Sequence, residues 1–294
     1  MMESTPKPLE NSADAAYAVI GHPLGHSMSP FIHERLFALE GVPQRYGAQD
    51  IPPTELADTL PAMFKRMRGI NVTIPHKQAV IPLLDRLEGR AGLYRSVNTI
   101  AVTDTGAVGY NTDADGFLQA LEAGGVTLGG RVALLGCGGV GRTFACEAAL
   151  AGATIVNAVR EADQAAADAL HEYVRDLVPH VQYEIVRMDA LQGPFDLLIN
   201  ATPVGMYPQV DGCPVTEAVV DQCSAIFDAV YNPGETRLLQ LAKAAGKRTV
   251  GGMPMLVWQA VVAHRYWNGA SYAPEDIEQL IRDAQREMDT RFAK

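Results

Sequence analysis

Residues 131–159, RVALLGCGGVGRTFACEAALAGATIVNAV, constrain the fold of this chain more than any other stretch. Val132 to Leu135 are all apolar, the pattern of a strand buried on both faces. Gly136, Cys137, Gly138, Gly139, Val140 and Gly141 then fit G-x-G-x-x-G and open a helix, with a second strand ending at Arg160. Glycine clusters also mark plain turns, so the context carries the reading: strand before, helix after, second strand beyond. The first glycine permits the tight turn, the second lets backbone approach a pyrophosphate, and the third lets helix pack closely on strand. Backbone N–H groups at the helix start then face the anion. The stretch predicts a βαβ unit that holds a dinucleotide on these six residues.

Which dinucleotide is open. A carboxylate about twenty residues past the turn favours NAD, and an arginine favours the 2′-phosphate of NADP. Asn157 stands in that region with Ala158 and Val159; it can hydrogen-bond either form. Arg160 can reach a phosphate or remain a solvated arginine.

The rest of the chain alternates strand and helix, which implies a largely parallel α/β architecture. YAVI, RYGAQDI and GINVTI (residues 69–74) read as strands, the last ending near Ile74 because Pro75 cannot donate to a sheet ladder. A helix runs from about Pro30 to Leu39, with Ser29 as N-cap and Gly41 as its stop. ELADTLPAMFKRM predicts a helix interrupted or bounded at Pro61, and IPLLDRLEGRAGL another. Residues 97–113 form a hairpin around Asp104 and Gly106, which makes the first sheet mixed. A helix starting near Gly116 follows. FDLLINATP, SAIFDAVY and KRTVGG supply later parallel strands, and two helices close the chain.

Bulk properties exclude several classes. A net charge of −10 over 294 residues argues against a nucleic-acid surface, which needs clustered Lys and Arg. No run of 18 apolar residues exists, so no membrane span is expected. Four cysteines without paired-ligand spacing read as reduced thiols in a cytoplasmic protein, with no metal site. The polar start, residues 1–16, reads as a disordered tail.

Polar groups recur where strands and helices end. Ser27 and Ser29 lie in HSMSP, Thr73 and Lys77 in NVTIPHK, Asn98 in SVNT and Asp113 in YNTD; Tyr231 follows AIFDAV and Gln259 sits in MLVWQA. Each has a plain structural reading as a cap, a turn closer or a polar gap in a helix face. Together they suit a small polyol acid. Hydroxyls at a helix N-terminus suit a carboxylate, amides and threonine suit ring hydroxyls, and a lysine beside an aspartate suits proton transfer at an alcohol carbon.

SMSP, NVTIPHK, VNT, NTDADGF, GCGGVG, NATPVGM, the strand end at Asp228–Tyr231 and GMPMLVWQ occur in that order from Tyr17 to Gln259. In this the chain resembles the shikimate dehydrogenase family, including its quinate-using relatives. The resemblance implies a mixed-sheet α/β substrate domain at 17–114 and 253–294, and a Rossmann-like doubly wound dinucleotide-binding domain at 115–252. It implies reversible hydride transfer between shikimate and NADP or NAD, without metal, in a monomer or homodimer. Ser27 and Ser29 would bind the substrate carboxylate, and Thr73, Asn98, Asp113 and Gln259 the ring hydroxyls. Tyr231 would line the site, Lys77 would be the acid/base and Asp113 its partner. Asn157, Thr202, Ala229 and Gly252 would border the cofactor. Two departures stand out: Asn-Ala-Val replaces the Asn-Arg-Thr common in NADP-specific members, and His76 stands where Phe or Tyr is frequent. The first leaves NAD or dual cofactor use and a quinate or amino-substituted shikimate substrate as rival readings; a non-catalytic ligand-binding module is a third, which intact Lys77 and Asp113 oppose. His76 is expected to shape the Lys77 turn.

Overall fold

The computed structural model describes residues 16–292 apart from Gly25, His26 and Pro43; the expected tail at residues 1–16 lies outside the described residues except Ala16. The chain forms two compact units, Met1–Asp115 with Gln259–Ala284, and Gly116–Trp258 with Gln285–Lys294.

In the first unit the elements are β1 (Ala16–Gly21), α1 (Ser29–Glu40), β2 (Arg45–Asp50), α2 (Leu56–Phe64), β3 (Met67–Val72), β4 (Arg86–Leu87), α3 (Arg90–Tyr94), β5 (Thr99–Thr103) and β6 (Gly106–Tyr110). Helix α4 (Asp113–Ala123) leads out of it. The sheet order is β2-β1-β3-β5-β6-β4. It is mixed: β1 runs parallel to β2 and β3, while β5 is antiparallel to β3 and β6. Alternation along β1 sends Ala18 and Ile20 into one apolar cluster and Tyr17 and Val19 into another, so this sheet is covered on both faces.

The second unit contains β7 (Arg131–Leu135), α5 (Gly139–Leu150), β8 (Thr154–Val159), α6 (Gln164–Leu177), β9 (Tyr183–Arg187), β10 (Phe195–Asn200), α7 (Glu217–Asp221), β11 (Cys223–Asp228), α8 (Arg237–Ala244) and β12 (Arg248–Val250). Its sheet runs β12-β11-β10-β7-β8-β9, with every pair parallel. Chain order reverses between β7 and β10, which places the ligand crevice of such a sheet beyond their carboxyl ends. Val132 to Leu135 are buried on both sides, as their apolar run requires. The rings of Phe117, Phe144 and Phe227 pack together, with the first two centroids 4.2 Å apart. Helices α9 (Gly252–Asn268) and α10 (Pro274–Phe292) close the chain. The unit boundaries fall inside α4, α9 and α10, not between elements.

Several local expectations change. Strand β3 ends at Val72, two residues before Ile74, although the Thr73 N–H still donates to the Ile20 carbonyl at 2.9 Å. Ser29 is the first helical residue of α1 and Met28 the cap; the Ser27 hydroxyl accepts from the Ser29 N–H at 3.2 Å instead. Helix α2 continues through Pro61, and α4 begins at Asp113, where the Asn111 side-chain oxygen takes its N–H. The predicted helix IPLLDRLEGRAGL breaks into a 3₁₀ turn (Ile81–Leu83), β4 and α3. Leu84 is extended, the Asp85 carboxylate takes the Ala107 N–H at 2.7 Å, and Gly89 has φ +57°. Those interactions draw the segment to the sheet edge and outweigh a moderate helical pattern.

Candidate active site

In the first unit the site grows from the turn after β3. His76 is buried; its N–H donates to the Thr73 carbonyl at 2.9 Å, and its Nε2–H donates to the Ile51 carbonyl at 2.7 Å. The imidazole thus pins the turn to the segment after β2, which accounts for a histidine in NVTIPHK. The Lys77 carbonyl accepts from Val97 N–H at 2.8 Å, fixing the next residue as well.

From this anchored backbone Lys77 Nζ reaches Asp113 Oδ2 at 2.6 Å, with side chains 19% and 12% exposed. An ion pair so shielded is screened less than a surface pair, yet it is not fully sealed from solvent. Asp113 Oδ1 accepts from Asn98 Nδ2 at 2.9 Å, and Asn98 Oδ1 accepts from Thr112 N–H at 2.7 Å. Gln259 Oε1, on α9, lies 3.4 Å from Asn98 Nδ2. Four sequence-predicted residues, Lys77, Asn98, Asp113 and Gln259, therefore meet from four segments.

Ser29 joins this group through buried side chains. Its hydroxyl lies beside Tyr46, the Tyr46 hydroxyl donates to Asn71 Oδ1 at 2.8 Å, and Asn71 Nδ2 donates to Thr99 Oγ1 at 3.1 Å. The Thr99 hydroxyl in turn faces Asn98 Oδ1 at 3.2 Å. Burial pushes the Tyr46 phenol well above its usual range, so it remains a neutral donor in this chain of bonds. The Thr73 methyl lies over Gly21, where a Cβ would come within 2.4 Å of it. Nothing in the sequence signalled this role for Tyr46, Asn71 or Thr99, because their partners lie on other strands.

In the second unit the glycine turn has the form its pattern predicts. Gly136 has φ +91°, a left-handed conformation that side chains avoid. A Cβ on Gly141 would stand 3.1 Å from the Gly136 carbonyl oxygen, so helix and strand approach at van der Waals limits. Gly138 and Gly139 are exposed, and a Cβ on either would meet nothing within 4 Å. Bare backbone there opens outward at the start of α5, a cradle into which a pyrophosphate fits. Cys137 and Val140 are half-buried beside it, with Cys137 Sγ 3.8 Å from the Asp163 carbonyl.

Asn157 supports this turn from beneath. Fully buried, it donates through Nδ2 to the Leu134 and Gly136 carbonyls, both at 2.9 Å, and accepts from Tyr183 OH at 3.1 Å. Ala158 and Val159 are also sealed inside, so Arg160 presents the first exposed side chain after β8; its Nε lies 2.7 Å from Asp163 Oδ2. Thr202 follows β10, and Ala229 and Tyr231 follow β11. Gly252 opens α9, and a Cβ on it would stand 2.4 Å from the Ala229 carbonyl oxygen. Burial raises the Tyr231 phenol above its ordinary range. Among the described residues no helix is long and apolar enough to cross a membrane, and no group of three His, Cys, Asp or Glu is placed to hold a metal ion.

Comparison with known proteins bears on both units. Residues 19–100 match the family model described as shikimate dehydrogenase substrate binding domain. A protein of Shouchella clausii named shikimate dehydrogenase (NADP(+)) is 36% identical over 273 residues, covering 90% of this chain and 97% of its own. A solved shikimate 5-dehydrogenase of Thermus thermophilus, in complex with NADP(H) and shikimate, superposes with TM-score 0.80 at 35% identity, over 92% of this chain and 99% of its own. A Listeria monocytogenes shikimate 5-dehydrogenase in complex with shikimate and NAD gives TM-score 0.82 at 27% identity, over 93% of this chain and 98% of its own.

Proposed function

The chain belongs to the shikimate dehydrogenase family, and from that premise we propose that it oxidises shikimate reversibly to 3-dehydroshikimate with a nicotinamide dinucleotide. The observation that carries the reading is the 2.6 Å Lys77–Asp113 pair, held from behind by Asn98. When bound, the dinucleotide supplies the hydride acceptor. An alcohol carbon gives up hydride only as its O–H proton leaves; Lys77 takes that proton as the neutral amine, after its ammonium has lost a proton to solvent, and as the ammonium it returns the proton in the reverse direction. Asp113 aims the amine across the same substrate hydroxyl, whose single hydrogen passes to Lys77. Ser27 and Ser29, at the N-terminal end of α1, bind the substrate carboxylate; Thr73, Asn98 and Gln259 hold ring hydroxyls, and Tyr231 lines the ring.

Gly136, Cys137, Gly138, Gly139, Val140 and Gly141 take the pyrophosphate, with Thr202, Ala229 and Gly252 along the nicotinamide. Asn157 acts through the turn it supports. Arg160 supplies the cation for a 2′-phosphate, which favours NADP, the cofactor in the names of the curated relatives. Its ion pair with Asp163 competes for the same guanidinium, which leaves NAD accessible. The rival reading is a catabolic or specialised dehydrogenase acting on quinate or an amino-substituted shikimate with NAD; the departure from Asn-Arg-Thr motivates it, although Ala158 itself is sealed in the core and Arg160 presents the first exposed side chain. The chain is expected to act in the cytoplasm as a monomer or homodimer on this small-molecule substrate.

Steady-state kinetics with shikimate and quinate, each with NADP⁺ and NAD⁺, tests the proposal. The expected result is highest kcat/KM for shikimate with NADP⁺. A strong preference for quinate with NAD⁺ supports the rival, and ligand binding without turnover in any combination refutes catalysis.

A further inference from the structure

Asp228 is a fully buried carboxylate that takes no part in the chemistry above. It closes β11 directly opposite Asn200, the last residue of β10. Its Oδ1 accepts from Asn200 Nδ2 at 2.9 Å and from the Val230 N–H at 3.0 Å; its Oδ2 accepts from the Thr236 hydroxyl at 2.6 Å. All three bonds tie down the ends of β10 and β11 and the loop after β11. That is the carboxyl edge of a parallel sheet, beside the point where strand order reverses and where ligands of this architecture sit.

The effect passes through an amide that can face either way. A carboxylate only accepts, so it holds the Nδ2 end of Asn200 toward itself. The Oδ1 end must then face the loop, where it accepts from the Thr202 N–H at 3.0 Å and the Thr202 hydroxyl at 2.7 Å. This turns the Thr202 hydroxyl inward and leaves its methyl against Gly136, 2.9 Å from where a Cβ would stand. On the other arm, the Val230 carbonyl accepts from the Gly252 N–H at 3.3 Å, and Gly252 packs directly on the Ala229 carbonyl.

We propose that Asp228 is a positioning residue for the nicotinamide half of the dinucleotide site, orienting Thr202 through Asn200, and Ala229 and Gly252 through Val230. The proposal rests on the dinucleotide reading above, and not on the identity of the alcohol substrate. The competing account is a strand-end carboxylate that stabilises the unit and nothing else, since buried charges are often replaceable by apolar groups. The two accounts part on one point. Asp228 makes no bond to the glycine turn itself, so a positioning role affects one half of the ligand and a purely structural role affects both.

The test is calorimetric titration of the full chain with two matched pairs that differ only by nicotinamide. These are NADP⁺ against 2′-phosphoadenosine 5′-diphosphoribose, and NAD⁺ against adenosine 5′-diphosphoribose. For Asp228→Leu the dinucleotide is expected to bind about tenfold or more weakly, given the worth of hydrogen bonds to a charged group, while the fragment stays within about twofold. Asp228→Asn, which keeps one acceptor, is expected to lose less. Equal loss for dinucleotide and fragment, or no loss for either, overturns the proposal. Should Asp228→Leu fail to fold, Thr202→Val removes the inward hydroxyl at nearly constant shape; the same split at smaller size supports the proposal, and its absence overturns it. A wild-type chain that binds both pairs but does not oxidise shikimate refutes the substrate reading and leaves this one standing. A wild-type chain that binds neither pair refutes both.

Discussion

Around Lys77 the groups brought together are side chains, and they come from residues 77, 98, 113 and 259. Around Gly136 the exposed groups are bare backbone at Gly138 and Gly139, within a run of six consecutive residues. The first site needs partners of opposite charge held within hydrogen-bond reach, so it depends on bonds such as Asn98–Asp113. The second needs the absence of side chains at Gly138 and Gly139 and close packing at Gly136 and Gly141. A substitution in the first should therefore alter chemistry, and one in the second should alter space.

The largest effect is expected for Lys77→Ala. Turnover should fall about 10²–10⁴-fold, the worth of a positioned acid/base, while shikimate affinity stays within several-fold; kinetics and calorimetry check both. An unchanged turnover number would remove the contrast by making the lysine structural. Asp113→Asn comes next. It leaves an acceptor for Asn98 but removes the carboxylate from Lys77, and turnover should drop about ten- to a hundredfold, the cost of losing a charge-assisted bond.

On the backbone side, the glycines should separate from one another. Gly138→Ala fills open space, so thermal stability should hold while dinucleotide affinity falls. Gly136→Ala forces a side chain into φ +91° against the Thr202 methyl and should cost about 1–2 kcal/mol of stability as well. Thermal melts alongside titrations separate the two; equal destabilisation would mean that Gly138 is not a cradle position. A smaller effect is expected at Arg160. Arg160→Ala should weaken NADP⁺ by about tenfold, the loss of one charged hydrogen bond, and leave NAD⁺ nearly unchanged. An equal loss for both cofactors would assign Arg160 to the surface.

The same contrast explains what could be read in advance. The glycine turn is a contiguous pattern whose spacing states its geometry, so the parallel sheet and the βαβ unit were legible from residues 131–159. The lysine site was legible only as scattered polar residues at strand ends, because its proximity is made by topology: β5 enters between β3 and β6, bringing Asn98 and Asp113 beside Lys77. Tyr46 and Asn200 were illegible in that role. A tyrosine or asparagine in an apolar strand reads as an irregularity until its partner on the next strand is known. Asn157 was legible as important but not in its direction, since spacing does not say whether an amide faces the ligand or the turn beneath it. The broken helix after Ile81 failed for a local reason: Asp85 binds backbone across the sheet, and no helical periodicity reports that.

The smallest expected effect separates the two units by pH. In the first, His264 bonds Glu40 through Nδ1, and His33 Nδ1 lies 2.9 Å from His264 Nε2. Burial, then the neighbouring His264, holds His33 well below the ordinary 6.5, and burial lowers His264 despite Glu40. Glu40 is raised by burial but brought below its usual value by bonds from His264, Tyr272 and Asn268. Below pH 6.5 the unfolded chain therefore takes up protons that folded His33 and His264 refuse, and stability falls with falling pH; Glu40 adds to the loss at lower pH. Asp228 has the opposite sign. Burial raises it against the bonds from Thr236, Val230 and Asn200, so its contribution is present below 3.8 and is lost as pH rises through the folded value. Hydrogen exchange from about pH 7 down to about pH 5, the histidine range, should show peptides from β1 and β3 losing protection while those from β10 and β11 hold. His264→Phe should flatten the first trend, because an apolar ring leaves no proton for the unfolded chain to capture there. Parallel loss in both units would show that the pair unfolds as one cooperative body, and the contrast drawn from their sites would not extend to their stability.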